Sequence, residues 1–353
     1  MNKCLITKLN GFVNNPELLR LGEMRMKTLK VSNLTEHAQG FGISVNKTVT
    51  LVIVSDGYFT DKTLTENKGK NATLNVGFND IWVNGKSDVE IAILDKYSLT
   101  TISSYGVNWN ILKFSISDLK YSTALTSLIL LNTQVSGDIA NLKGLTALTS
   151  LGLSNTQVSG DIANLKGLTA LTSLGLSNTQ VSGDIANLKG LTALTSLGLS
   201  NTQVSGDIAN LKGLTALTSL DLSNTQVPLT GDIGQLSSLS NCLDIKLKNS
   251  KLTGDLAMLP SKCRFVSFQY DKGSVFTWST RPSSAKIIAI EGKANLTNID
   301  KMLQDQAQCQ VGFSPNNETW YKTISVAGNR TSSSDNAVET LQRKGYTISI
   351  AKA

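Results

Sequence analysis

The string Gly-Asp-Ile-Ala-Asn-Leu-Lys-Gly begins at Gly137, Gly160, Gly183 and Gly206, so this chain repeats itself every 23 residues. The repeat then relaxes. Gly231-Asp232-Ile233 follows after 25 residues and Gly254-Asp255-Leu256 after a further 23. A fixed period of roughly 20–50 residues means units that stack, because one unit cannot cover its own apolar side.

One unit reads Leu148-x-x-Leu151-x-Leu153-x-x-Thr156-x-Val158-x-Gly160-x-Ile162-x-x-Leu165-x-x-Leu168. Leu151 and Leu153 alternate along a short strand, so both point to one side. Gly160 frees the backbone for the turn away from that strand. Asp161 is a good cap for a short helical turn. Leu165 and Leu168, three apart, then face inward from the opposite wall. Stacked coils bury this apolar side against one another, with parallel strands ~4.8 Å apart.

The L-x-x-L-x-L spacing at this period resembles the leucine-rich repeat family over about residues 120–260. Ser-Gly-Asp-Ile is similar to the longer-turn class whose repeats carry L-x-G-x-I. One departure stands out. Where that family has an asparagine after L-x-L-x-x, this chain has Thr133, Thr156, Thr179, Thr202 and Thr225. A threonine hydroxyl offers a similar but weaker ladder to the backbone. Asn132, Asn155, Asn178, Asn201 and Asn224 sit one position earlier.

The pattern continues in degenerate form. Val266-Ser267-Phe268, Ile287–Ile290, Ile324-Ser325-Val326 and Ile348-Ser349-Ile350 each read as short inward strands. Helical patterns follow two of them, over 296–303 and 334–341, the second capped at Ser334 or Asp335. These longer units suit a cap that hides the open end of a stack. The first residues differ. Met24–Thr28 alternates, Thr48–Val54 is a buried-strand run, and Ile81-Trp82-Val83 and Val89–Ile93 flank Asn84-Gly85, a hairpin signal. The expected fold class is α+β to mainly β: a leucine-rich-repeat solenoid preceded by a small all-β sandwich-like domain. The expected domains are a docking or anchoring β-domain at 1–115, the solenoid at 116–260, and degenerate repeats with a C-terminal cap at 261–353.

The resemblance implies that strand positions between the leucines line a concave face, where many family members bind ligands. The first row runs Ser127, Ser150, Ser173, Ser196, Ser219, Asp244. The second runs Ile129, Gly152, Gly175, Gly198, Asp221, Lys246, and the third Leu131, Ser154, Ser177, Ser200, Ser223, Lys248. The middle of the face has no Trp, Tyr or Arg, the residues that dominate binding hot spots. The candidate binding surface is therefore at its two ends: Ile129 and Leu131 at one, Asp221, Asp244, Lys246 and Lys248 at the other. Asp161-type and Lys166-type residues make a solvated stripe on the outer wall. One Asp per coil is too few oxygens for a calcium ladder.

Catalytic chemistry finds little support. There is one histidine, His37, so no multi-histidine zinc site exists and a Ser-His-Asp triad would have to use it. Cys4, Cys242, Cys263 and Cys309 form no C-x-x-C pair. Cys242 and Cys263 occupy equivalent positions in neighbouring coils, where disulfide geometry is poor, and read as buried thiols. No catalytic residue, cofactor or metal is expected. The net charge of +7 is uneven: +3 over residues 1–120, −1 over 121–260 and +5 over 261–353. The basic last part also holds Phe265, Phe268, Tyr270, Phe276, Trp278, Trp320 and Tyr321. With no nucleic-acid motif beside them, these read as core and capping aromatics, so no nucleic-acid partner is expected.

The opening residues and the Asn-Thr-Gln-Val-Ser-Gly-Asp-Ile repeats are also similar to leucine-rich-repeat proteins of gut Bacteroidales bacteria and their tailed phages. That resemblance implies a non-enzymatic structural protein of a phage or prophage virion that docks by its N-terminal β-domain. Its partners would be virion or cell-envelope proteins, with a glycan as a second ligand class. A bacterial cell-surface adhesin or secreted protein-binding chain is the alternative. No run approaches ~18 apolar residues, so no membrane span is expected. Lys8 and Asn10 interrupt the place of a signal-peptide core. The expected location is the virion or the bacterial cytoplasm, with the cell surface or secretion as the alternative.

Overall fold

A computed structural model describes strands between residues 28 and 113, then residues 115–351 apart from 227–228, 269–274 and 312–321. The chain divides into two compact units. One holds residues 1–148 with 156–158, and the other holds 149–155 and 159–353.

In the first unit, every described element before residue 115 is a strand. They are β1 (Thr28–Asn33), β2 (Gln39–Val45), β3 (Val49–Ile53), β4 (Phe59–Thr60), β5 (Asn71–Leu74), β6 (Gly77–Val83), β7 (Ser87–Ile93), β8 (Leu99–Tyr105) and β9 (Leu112–Lys113). One antiparallel sheet runs β5-β3-β7-β1-β9. The run Thr48–Val54 supplies β3 as its pattern requires. A second sheet runs β4-β6-β2-β8 and continues into the strand Ser127–Ile129. Residues 24–27, all but the last of the alternating run Met24–Thr28, lie outside the described residues, as does Asn84-Gly85. Among the described residues the two flanking strands do not pair with each other: β6 pairs with β2 and β4, while β7 pairs with β1 and β3. Long registers with distant strands, Gln39–Val45 against Gly77–Val83 and Thr28–Asn33 against Ser87–Ala92, outweigh the local turn signal.

β8 changes the character of the sheet. It is antiparallel to β2 and parallel to Ser127–Ile129, with Ile102 beside Leu128. Both side chains are fully buried. Ile102 thus fills the place that a repeat leucine fills one strand later.

The second unit is built of coils. Strands Ser150–Gly152, Ser173–Gly175, Ser196–Gly198, Ser219–Asp221, Asp244–Lys246, Phe265–Ser267, Ala289–Asn295, Thr323–Ala327 and Thr347–Ala351 lie side by side in parallel. Leu151, Leu153, Leu165 and Leu168 are fully inaccessible, as are their counterparts as far as Leu239, to within 1%. After the strands that end at Gly152, Gly175, Gly198, Asp221 and Lys246, as after Ser127–Ile129, the chain turns through an asparagine with φ between 55° and 62°. Asparagine tolerates this left-handed conformation better than other non-glycine residues. That accounts for Asn155 and its equivalents one position before the threonine.

A second parallel ladder follows that turn, pairing Ser159–Asp161 with Gln180–Ser182 and Ser182–Asp184 with Gln203–Ser205. Asp161, Asp184 and Asp207 then cap short 3-10 turns such as Ile162–Leu165, each accepting the N–H two residues on. The preceding glycine is obligatory in place as well as in torsion. Gly183 has φ +110°, and a β-carbon on it would collide with the Asp161 carboxylate of the coil before.

Later coils swap the 3-10 turn for true helices, α1 (Ile299–Gln308) and α2 (Asp335–Arg343). Both fall within a few residues of the positions read from sequence. Ser334 does precede α2, but its hydroxyl bonds the Asp300 carboxylate instead of capping the helix. Phe265, Phe268, Phe276 and Trp278 are buried core aromatics. Tyr270, Trp320 and Tyr321 lie outside the described residues.

Candidate functional site

Three sets of hydroxyl bonds hold the near-identical coils. Thr133, Thr179 and Thr202 donate to the carbonyls of Leu130, Leu176 and Leu199, three residues back in their own coil. The bonds of these threonines thus close a turn, and other residues make the ladder between coils. Ser154 accepts the N–H of Ser177, and Ser177 accepts that of Ser200, at 3.1 and 3.2 Å. Thr172, Thr195 and Thr218 donate to the carbonyls of Thr149, Thr172 and Thr195 in the preceding coil.

This repeated register of short strand, left-handed asparagine, second ladder and capped 3-10 turn fixes the architecture. The coils have the leucine-rich-repeat fold. No protein-family model matches the chain, and no curated protein matches it. Among solved structures, the chain is similar to the leucine-rich-repeat ectodomain of a plant membrane receptor kinase from Arabidopsis thaliana, at 23% identity and TM-score 0.41. That match covers 56% of this chain and only 25% of the ectodomain's length. An internalin from Listeria monocytogenes matches at 18% identity and TM-score 0.42, over 74% of this chain and 85% of its own. A plant ice-binding protein matches at 20% identity and TM-score 0.48, over 73% and 81%. The repeat fold here rests on strand register and coil geometry.

The rows read from sequence are the rows of the sheet. Ser150, Ser173, Ser196, Ser219 and Asp244 are register partners, and so are Gly152, Gly175, Gly198, Asp221 and Lys246. The structure extends them. Asp244 leads on to Phe265 and Ala289, and Lys246 leads on to Ser267 and Glu291. Ile129 and Leu131 belong to the first unit and are half-buried; the charged group belongs to the second.

The charged group is ordered by its own contacts. The Asp221 carboxylate accepts the N–H of Ser223 at 3.1 Å. Asp244 receives the Arg264 guanidinium with two bonds, at 3.2 and 3.3 Å. Lys248 reaches Glu291 at 3.0 Å, two strands away. The strand bearing Glu291 departs from regular register against its neighbour between Ile290 and Ala294. Such bulges re-aim side chains. Arg264, Ser267 and Glu291 did not emerge from sequence. The spacing of first-row residues changes there, from 25 residues to 21 and then 24, so the rows could not be counted onward.

The remaining polar clusters are structural. Arg281 is 3% exposed and donates to the carbonyls of Ala257, Leu259, Pro260, Cys263 and Lys286. Burial pulls its pKa below the ordinary guanidinium value. Asp305 accepts the Trp278 indole N–H at 2.9 Å, the Arg281 N–H at 3.2 Å and Lys301 at 2.6 Å. Burial pushes its carboxyl upward, but these bonds prevail and hold it below the usual value. Cys242, Cys263 and Cys309 are buried free thiols. Burial pushes Cys263 up to about 12 and Cys242 higher still, which removes thiolate reactivity at neutral pH. Among the described residues, no group of three His, Cys, Asp or Glu could hold a metal ion, and no helix is long and apolar enough to cross a membrane.

Proposed function

We propose that the chain is a non-enzymatic interaction scaffold that receives a protein partner on the strand face of its second unit. The observation that carries this reading is the change of that face at residue 221. Up to Gly198 its rows offer serine and glycine, and the Ser154 and Ser177 hydroxyls of the third row accept ladder N–H groups. From Asp221 to Glu291 they offer Asp221, Asp244, Lys246, Lys248 and Glu291, with Arg264 bonded to Asp244 beside them. Charges fixed on a rigid sheet supply orientation and discrimination between partners. The Asp244–Arg264 and Lys248–Glu291 pairs hold four of these charges before a partner arrives, which lowers the entropy cost of binding. The near-identical coils are then a spacer, each adding ~4.8 Å.

The finer reading is a virion-associated component of a phage or prophage that docks through residues 1–115. It rests on the likeness of the repeats to those of gut Bacteroidales and their tailed phages. The test has two arms. Mass spectrometry of purified particles against cell-surface fractions should find the chain in particles; recovery in the surface fraction alone favours an adhesin and overturns the virion reading. Cross-linking in the same particles should give partner peptides that vanish with Asp244→Ala combined with Arg264→Ala. The same cross-links from that variant would sink the proposed strand-face site.

A further inference from the structure

Lys246 and Ser267 are register partners on adjacent strands, and Glu291 is next in the same row. Ile245 and Val266, their strand neighbours, are fully buried in the core. Successive strand side chains alternate, so Lys246 and Ser267 point the other way, onto the strand face. The other two cations there are engaged, Arg264 with Asp244 and Lys248 with Glu291. Among the described residues, no carboxylate forms an ion pair with Lys246. Ser267 is fully buried, and among the described residues its hydroxyl has no hydrogen-bond partner. A buried hydroxyl without a partner is rare and calls for an explanation. The Lys248–Glu291 pair joins the strands on either side of Ser267, so it passes across the Ser267 coil.

We infer that Lys246 and Ser267 form a subsite for one carboxylate, an Asp or Glu side chain of the protein partner. This rests on the interaction reading above and names the chemistry the partner must present. The incoming carboxylate meets the unpaired ammonium of Lys246 first. It then competes with Glu291 for Lys248. With Glu291 displaced, the Ser267 hydroxyl can donate to the new anion. One carboxylate replaces another, so Lys248 keeps a counter-charge throughout. The pair that breaks is weak, because both its side chains are more than a third exposed, at 35% and 42%. A cationic group would be repelled by Lys246 and would leave the Lys248–Glu291 pair closed.

The probes are two capped peptides, acetyl-(Gly-Glu)3-amide and acetyl-(Gly-Lys)3-amide, titrated into the full-length 15N-labelled chain. The acidic peptide should shift the Lys246 and Ser267 amide signals saturably, and the basic peptide should not. Lys246→Met should weaken binding about tenfold, the loss of one charge-assisted bond. Ser267→Ala should weaken it a few-fold without lowering thermal stability, since its hydroxyl has no partner to lose. Lys189→Met, in the spacer, should bind as wild type. No saturable shift, equal binding of both peptides, or wild-type affinity in Lys246→Met overturns the subsite. In the particle experiment, loss of cross-links with the Asp244/Arg264 variant but not with Lys246→Met would leave the interaction reading standing and remove this subsite.

Discussion

The coils around residues 150–223 and those from 255 onward share a strand register but are held by different means. The first set repeats one economical solution: leucines inside, a threonine closing each turn, a serine and a second threonine tying each coil to the next. Every bond has a copy 23 residues away. The second set adds bonds that have no copies. Arg281 gathers five carbonyls from positions 257 to 286, and Asp305 ties Trp278 and Arg281 to α1. Lys344 at the end of α2 donates to the carbonyls of Ala307 and Cys309. Repetition makes a region tolerant, because any coil can replace its neighbour. Singular buried charges make a region brittle, because one missing group strands several others.

Deletions should expose this contrast most strongly. Removing residues 173–195 joins Thr172 to Ser196 and recreates an existing junction, so the chain should stay folded and lose about one coil-to-coil interface. Removing only 173–183 joins Thr172 to Asp184 and puts a 3-10 segment where a strand must pair. That chain should lose its cooperative unfolding transition. Circular dichroism melts of the two deletions would decide, and similar curves would break the coil-exchange model.

Single substitutions come next. Arg281→Met should destabilise by about 3–5 kcal/mol, since five buried carbonyls lose their donor. Arg281→Lys should recover little, because an ammonium cannot span the fork. The Asp305 carboxyl adds a pH signature. Its folded pKa lies below the unfolded value, so its contribution is present above the unfolded pKa of about 4 and is lost as pH falls through the folded value. Urea titrations between about pH 2 and 5 should show a slope that flattens in Asp305→Asn. An unchanged slope would place the acid sensitivity elsewhere, with Asp300 next in line because Ser334 and Thr331 hold its carboxyl low against burial.

The same contrast governs what could be read from sequence. The leucine periods, the Asp161 cap, both helices and the later strands were legible because period and chemistry coincide there. Arg281, Asp305 and Gln306 were not, because a buried charge in a degenerate coil looks like any surface residue. Gln306, fully buried, bonds the backbone of Ile288 in both directions, and no local pattern announces it. The threonine after each L-x-L carries a backbone bond as its position suggests, but sequence does not name the partner, which is the carbonyl three residues back in the same coil. The asparagine before it was seen and had no reason until its positive φ supplied one. At the candidate site, Asp221, Asp244, Lys246 and Lys248 followed from counting rows. Arg264, Ser267 and Glu291 lay past the point where counting fails.

The smallest expected effect sharpens the comparison from the repetitive side. Ser177 is half-buried and accepts the Ser200 N–H at 3.2 Å, a long bond. In Ser177→Ala that N–H loses its acceptor, but water can reach a half-buried site, so much of the loss is recovered. The cost should be about 0.5 kcal/mol. Thr179 is 7% exposed, and its bond to the Leu176 carbonyl is 2.6 Å. Thr179→Val removes the hydroxyl at nearly constant shape and leaves that carbonyl dry, which should cost about 1–2 kcal/mol. Urea denaturation of the two variants gives the ratio directly. If Ser177→Ala costs as much as Thr179→Val, the ladder between coils is as strong as the turn within each coil. The spacer would then be held along its length as firmly as the singular end, and the division between a tolerant and a brittle region would fail.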